Sequence, residues 1–143
     1  MDKVRLGIIG IGNMGSGHLK NILEGKVPEM EVTAVADRQE GRRAWAKENL
    51  PESVVIFEEG TDLIAAGVCD GVLIAVPHYQ HPKLTIDAMN HGLHVMCEKP
   101  AGVYTKQVRE MNDAAKKCDR VFGMMFNQRT NCIYRKMHEL VTS

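Results

Sequence analysis

The stretch VRLGIIGIGNMGS, residues 4–16, decides the fold of this chain. It begins with a short apolar run typical of a buried β-strand and continues into the pattern G-x-G-x-x-G at Gly10, Gly12 and Gly15. A helical pattern follows from His18. In such a strand–turn–helix unit, we expect a tight turn at Gly10, a main chain open to close approach at Gly12, and close helix packing at Gly15.

A turn of this kind presents the unpaired N–H groups and the positive dipole end of the following helix, which together attract phosphate. We therefore predict that the turn binds the diphosphate of a dinucleotide. The predicted contact residues are Gly10, Gly12, Asn13, Met14 and Gly15. A glycine-rich turn that binds nothing is the alternative at this stage.

The rest of the chain repeats the strand–helix order. Apolar or β-branched runs predict five further strands at residues 31–36, 54–57, 71–76, 94–97 and 121–126. Helical spacing or helix-boundary residues mark residues 39–49, 61–66, 81–91, 104–117 and 131–141, with Trp45 as a packing residue in the first of these.

Strands that alternate with helices predict an α/β fold with a parallel sheet and right-handed crossovers. We expect a doubly wound sheet of the Rossmann type with strand order 3-2-1-4-5-6. A length of 143 residues fits one domain, so we predict a single dinucleotide-binding domain over residues 1–143.

Composition excludes several other classes of function. Eighteen basic and eighteen acidic side chains give a net charge of zero, so we expect no nucleic-acid partner. The apolar runs are too short to cross a bilayer, and the N-terminus enters a strand at once, so we expect neither a membrane partner nor a signal peptide. The four cysteines lack metal-site spacing, which predicts reduced, mostly buried thiols in a cytoplasmic protein with no metal.

Ligands of a doubly wound sheet bind at the carboxyl ends of its strands. Asp37 ends the second strand, where its carboxylate can accept hydrogen bonds from the ribose diol of adenosine. The same charge would repel a 2′-phosphate, which favours NAD over NADP. Arg38 leaves that choice open, because its guanidinium suits either stacking on adenine or binding a 2′-phosphate. A helix cap and a solvated charge are the alternatives for the two residues.

The segment after the fourth strand, Val76-Pro77-His78 and on to His81, is predicted to lie under the nicotinamide half of the cofactor. Both histidines suit acid–base work, but a structural role is favoured for each of them, and His81 stands where a helix begins.

Glu98 and Lys99 follow the fifth strand, where a lysine can donate a proton to an alcohol or carbonyl oxygen as hydride moves. A surface ion pair is the alternative. Asn127 and Arg129 follow the sixth strand and are predicted to face substrate or cofactor.

Five segments together resemble the Gfo/Idh/MocA oxidoreductase family, which includes glucose–fructose oxidoreductases and inositol dehydrogenases. They are GIGNMG (10–15), ADR (36–38), AVPHYQH (75–81), CEKPAG (97–102) and FNQRTN (126–131). The resemblance covers essentially the whole chain, and the EKP segment is its most specific element.

The resemblance implies that Lys99 contacts substrate and cofactor and handles the proton, and that Glu98 lies near the nicotinamide ribose. It also implies a cis Lys99–Pro100 peptide bond. The family's T-P-x-x-x-H pattern is matched here except that Val76 replaces threonine. Family members oxidise or reduce sugars, cyclitols and related hydroxyl compounds with NAD or NADP.

Family enzymes continue into a second α/β domain that supplies an aspartate and a histidine to the active site, and no D-x-x-x-H motif follows here. We therefore expect the cofactor-binding domain of a larger enzyme, able to bind dinucleotide with little or no turnover. A non-catalytic dinucleotide-binding sensor or regulatory module is the alternative. Self-association, with a homo-oligomer as one outcome, or low solubility is expected through an apolar face formed by Phe122, Met124, Phe126, Ile133 and Met137.

Overall fold

The computed structural model describes residues 2–142, so residues 1 and 143 of the predicted domain lie outside the described part. Six parallel strands form one sheet in the order β3-β2-β1-β4-β5-β6, which confirms the doubly wound prediction. The strands are β1 Val4–Ile9, β2 Met30–Ala36, β3 Val55–Phe57, β4 Gly71–Ile74, β5 His94–Glu98 and β6 Phe122–Met125.

The helices follow the strands in the expected alternation. They are α1 Asn13–Leu23, α2 Glu40–Asn49, α3 Gly60–Ala65, α4 His81–Asn90, α5 Thr105–Lys117 and α6 Cys132–Thr142. Two short 3₁₀ turns, His78–Gln80 and Asn127–Arg129, follow β4 and β6. The first helix begins directly after the glycine turn, and β4 ends two residues earlier than predicted, so residues 75–76 belong to a loop at the carboxyl edge of the sheet.

Buried side chains form two clusters, one on each face of the sheet. One cluster includes Leu19 of α1 and Ala46 of α2, whereas the other includes Leu63 of α3, Leu84 of α4 and Met111 of α5. All four residues of β4 are buried, as expected for a central strand that is covered on both faces. This arrangement leaves the carboxyl edge of the sheet to the loops.

The prediction for Trp45 was wrong. Its side chain is 43% exposed, while the neighbouring Ala46 is fully buried on the sheet. Helix α2 is polar apart from Ala44, Trp45 and Ala46, and the small Ala46 is the one of the three that joins the core cluster on this face of the sheet.

The apolar face at the end of the chain is narrower than predicted. Phe122 and Met124 are half-buried against the core, while Phe126, Ile133 and Met137 are exposed. Every described residue of α6 is exposed. Self-association through this face stays a prediction.

Across residues 2–142, no helix combines the length and the apolar character that crossing a membrane requires.

The four cysteines are free and differ sharply in exposure. Cys69 and Cys97 are buried, Cys118 is partly buried and Cys132 is exposed. Burial raises the pKa of Cys97 to about 11, because the thiolate is poorly solvated among apolar side chains, and it raises the pKa of Cys69 as well. Since the thiolate is the reactive form, these two thiols are expected to be inert at neutral pH.

We predict that Ellman's reagent modifies Cys132 rapidly at mildly alkaline pH and leaves Cys97 untouched until the chain unfolds. Peptide mass spectrometry after timed labelling identifies the modified thiols, and Cys132→Ser removes the fast phase. Guanidinium-denatured protein, in which all four thiols react, is the control. Native labelling of Cys97 at the rate of Cys132 would contradict this account of the core.

Candidate functional site

The glycine turn lies where β1, β4 and α1 meet, and its glycines meet three different surroundings. Gly10 has a φ of +89°, and a Cβ there would lie 2.7 Å from the carbonyl oxygen of Ala75. A Cβ on Gly15 would overlap the carbonyl oxygen of Gly10. At Gly12 a Cβ would meet nothing within 4 Å, so this position faces open space. Gly10 and Gly15 are therefore required by packing, whereas Gly12 leaves room for a ligand.

Helix α1 begins at Asn13, directly after the turn. Its first-turn amides have no partner within the helix, and no side chain caps them among the described residues. Asn13 and Met14 are exposed residues at this end of the helix. The dipole of α1 adds positive potential at the same point. This end of the helix has the chemistry of an anion site.

The carboxylate of Asp37 joins the glycine turn to the end of β2. The N–H of Ile11 donates to Asp37 Oδ2 at 2.9 Å, and the N–H of Gln39 donates to Oδ1 at 2.9 Å. The side chain is half-buried and lines a groove of about 580 Å³. Asp37 is thus oriented by the main chain on both sides and still faces open space.

The groove runs along the carboxyl edge of the sheet. Six of the predicted residues line it, namely Gly10, Gly12, Asp37, Arg38, Val76 and Pro77. Sequence reasoning missed several others, including Gln39, Glu58, Glu59, Thr61, Gln80 and Lys83. Gln39 follows β2, three of the others follow β3, and Gln80 and Lys83 lie at the start of α4. Their position after a strand end was the available signal.

Arg43 was also missed. It projects from α2, and its Nη1 donates to the carbonyl oxygens of Asp37 at 2.9 Å and Arg38 at 2.8 Å. The backbone that carries both predicted ribose-side residues is thereby fixed to the helix that follows it.

Glu98 at the end of β5 is 4% exposed and pairs with His18 of α1, with 2.7 Å between Glu98 Oε1 and His18 Nε2. Its Oε2 accepts a hydrogen bond from the N–H of Lys99 at 3.2 Å. Lys99 itself is exposed, and the Lys99–Pro100 peptide bond is cis, as the resemblance implied. Sequence reasoning missed His18, because its partner lies 80 residues away.

His81 is fully buried, and each ring nitrogen lies against a carbonyl oxygen. Nδ1 is 2.7 Å from the oxygen of Pro100, and Nε2 is 2.8 Å from the oxygen of Val76. The side chain therefore connects the loop after β4 with the loop after β5. These contacts support the structural role favoured for His81, which is to hold the loops at Val76 and Pro100 next to each other.

The other predicted residues do not line the groove, namely Asn13, Met14, Gly15, His78, His81, Glu98, Lys99, Asn127 and Arg129. His78 is exposed, with its ring edge-on to His81 at 5.7 Å between centroids. Asn127 and Arg129 lie in the 3₁₀ turn after β6, and the Arg129 guanidinium stacks 4.9 Å from the centroid of Phe126. Arg129 lines a separate hollow beside α6. Their cofactor contacts stay predictions.

Within residues 2–142, no group of three or more potential metal ligands comes together.

Comparison with known proteins adds to this geometry. The family described as "Oxidoreductase family, NAD-binding Rossmann fold" (GFO_IDH_MocA) matches residues 4–126. The rhizopine catabolism protein MocA of Rhizobium meliloti is 36% identical over 117 residues, which are 82% of this chain and 35% of that protein. The scyllo-inositol 2-dehydrogenase (NADP(+)) IolU of Bacillus subtilis is 33% identical over 115 residues, 79% of this chain and 34% of that protein.

Among solved structures, scyllo-inositol dehydrogenase from Lactobacillus casei with bound NAD(H) and scyllo-inositol matches with a TM-score of 0.89 and 28% identity. The match covers 99% of this chain and 41% of that one. The chain therefore spans well under half the length of these relatives.

The described groove fits a dinucleotide by its own geometry. The space that a Cβ on Gly12 would enter, the uncapped start of α1 directly after it, and the half-buried carboxylate of Asp37 lie at one edge of the sheet. Those three features match a diphosphate next to a ribose diol.

Gly12→Ala tests this geometry directly. Gly12 has a φ of −70°, so alanine fits the backbone, but its methyl group would occupy the space next to the α1 amides. We predict an unchanged fold and an NAD affinity lower by about tenfold, since forcing a methyl into a close contact costs on the order of 1–3 kcal/mol. Isothermal titration calorimetry measures the affinity.

Gly17→Ala is the matched control. Gly17 also has nothing within 4 Å of an added Cβ, but it lies on the exposed side of α1 outside the groove. This variant should bind NAD like the parent chain. If both variants lost NAD affinity equally, or if neither lost any, binding of the dinucleotide at the glycine turn would be contradicted.

Proposed function

The chain belongs to the GFO_IDH_MocA oxidoreductase family, whose NAD-binding Rossmann fold covers residues 4–126, and on that premise we propose that it is the cofactor-binding domain of a dehydrogenase. The reaction is hydride transfer between nicotinamide and a hydroxyl-bearing substrate of the polyol or sugar class. The observation that carries the proposal is that one groove is lined both by Gly12, directly before the start of α1, and by Asp37.

The scyllo-inositol dehydrogenase of Lactobacillus casei holds NAD(H) together with a cyclitol, which supports a polyol as the substrate class here. NAD is the favoured cofactor, because Asp37, Glu58 and Glu59 line the ribose end of the groove with negative charge. A 2′-phosphate would add more negative charge at that place.

Lys99 is the proposed proton donor and acceptor. It is exposed at the carboxyl end of β5, and its main-chain N–H is bound by Glu98, which His18 holds from α1. The nicotinamide cofactor would supply hydride exchange with the substrate carbon, and the Lys99 amine would take the hydroxyl proton in oxidation and return it in reduction. Glu98 and His81 hold the loop after β5 in place. His78, Asn127 and Arg129 are proposed to contact the cofactor in addition to the residues of the groove.

We predict that the parent chain binds NAD more tightly than NADP and that Asp37→Ala narrows this preference. Loss of a carboxylate that binds the ribose diol removes charge-assisted hydrogen bonds, so NAD affinity should fall by about tenfold or more. NADP should lose less, because the repulsion of its 2′-phosphate is relieved at the same time. Calorimetric titration of both dinucleotides into the parent chain and into Asp37→Ala gives the ratio of NAD affinity to NADP affinity for each.

Asp113→Ala is the control for this titration, because Asp113 is exposed on α5, away from the groove. General loosening of the Asp37 variant would lower both affinities in proportion and leave their ratio constant. A constant ratio, or a parent chain that binds neither dinucleotide, would contradict the proposal.

The proposal also predicts binding without turnover by this chain alone. Lys99 is exposed at the carboxyl edge of the sheet, and the elements within residues 2–142 do not cover it from the opposite side, where they could orient a substrate against it. Because orientation supplies much of the rate, addition of NAD and scyllo-inositol should give no NADH absorbance above a protein-free blank. NADH formation that scales with protein and disappears in Lys99→Ala would contradict this.

A further inference from the structure

We infer that Glu59 determines cofactor preference by holding the Arg38 guanidinium in an ion pair and so keeping it from a 2′-phosphate. Arg38 Nε donates to Glu59 Oε2 at 2.9 Å, and Arg38 Nη2 lies 2.8 Å from the same oxygen. This inference rests on the dinucleotide function proposed above and names the residue that sets its specificity.

The fold brings these two side chains together at the ribose end of the groove. Arg38 lies just past β2, and Glu59 lies between β3 and α3. Because β2 and β3 are neighbouring parallel strands, both residues are at the carboxyl edge. Both also line the groove that Asp37 lines.

The pair occupies the part of the guanidinium that matters for phosphate. The Nε and Nη2 groups form one of the two edges by which arginine binds an oxyanion with paired hydrogen bonds. Here one carboxylate oxygen accepts from both groups of that edge. A phosphate can use this edge only after it displaces Glu59.

The main chain that carries Arg38 is held in place by Arg43 of α2. Arg43 Nη1 binds the carbonyl oxygens of Asp37 and Arg38, and Arg43 Nη2 lies 3.4 Å from Glu58 Oε2. The main chain at Arg38 is therefore fixed, and a change of partner involves its side chain alone.

The two dinucleotides differ in what they require of this pair. The ribose diol of NAD needs the Asp37 carboxylate and leaves the Arg38–Glu59 pair intact. The 2′-phosphate of NADP can use the Nε and Nη2 edge of Arg38 only by taking it from Glu59, while Asp37, Glu58 and the released Glu59 carboxylate repel it. Glu59 therefore acts against NADP both by competition and by charge.

The expected effect of Glu59→Gln is moderate, because both side chains are substantially exposed, at 65% for Arg38 and 40% for Glu59. Exposed ion pairs contribute little, so the ratio of NAD affinity to NADP affinity should fall by about fivefold. High salt should shrink the change, since screening weakens exposed charges.

The experiment is calorimetric titration of NAD and NADP into the parent chain, Glu59→Gln and Glu58→Gln. Glu58→Gln removes the same charge from the same wall, but Glu58 pairs with Arg43 and leaves the Arg38 ion pair in place. It should change the affinity ratio by less than about twofold, the range of a screened charge without a change of partner. Adding Arg38→Met to Glu59→Gln should cancel most of the gain in NADP affinity.

If the two glutamine variants changed the affinity ratio equally, the negative charge of the wall alone would explain the preference and the inference would be overturned. A gain in NADP affinity that persists after Arg38→Met is added would overturn it as well. An unchanged ratio in Glu59→Gln, with NAD still bound, would overturn it while leaving the proposed function intact. Failure of the parent chain to bind either dinucleotide would overturn the proposed function, and the inference with it. Thermal denaturation of each variant confirms that the compared chains are folded.

Discussion

The absence of room for a Cβ where β1, β4 and α1 meet is the constraint on which the rest of the structure depends. The main chain of the loop after β4 lies against Gly10, and the main chain of Gly10 lies against Gly15. Backbone-to-backbone contact at this distance brings α1 onto the sheet edge between the two central strands. The N-terminus of α1 consequently follows directly on Gly12, which lines the groove.

A few side chains then connect the other loops to this centre. Asp37 binds the glycine turn to the end of β2, His18 of α1 binds Glu98 at the end of β5, and His81 joins the loops after β4 and β5. Apart from the contact between His81 and Val76, which are five residues apart, these connections join segments that lie 19 to 80 residues apart. The carboxyl edge is therefore a connected frame, and Lys99, the proposed proton donor and acceptor, is exposed on it.

The sequence predicted the features that local pattern determines. Strand–helix alternation gave the strand order, the glycine spacing gave the turn, and the position of Asp37 after a strand placed it in the groove. His18, Arg43 and Glu59 escaped prediction because their roles depend on partners from other elements. The prediction for Trp45 failed for a different reason. Helix α2 is largely polar, and the small side chain of Ala46, not the large one of Trp45, is the one buried against the sheet.

The central claim is that the amides at the start of α1 bind a diphosphate while Asp37 binds the adenosine ribose. The most direct measurement is a crystal structure of the chain grown with NAD. The account predicts phosphate oxygens within hydrogen-bond distance of the main-chain N–H groups of Asn13 and Met14, and both ribose hydroxyls on the Asp37 carboxylate. A dinucleotide bound elsewhere, or a groove that stays empty at saturating NAD, would contradict it.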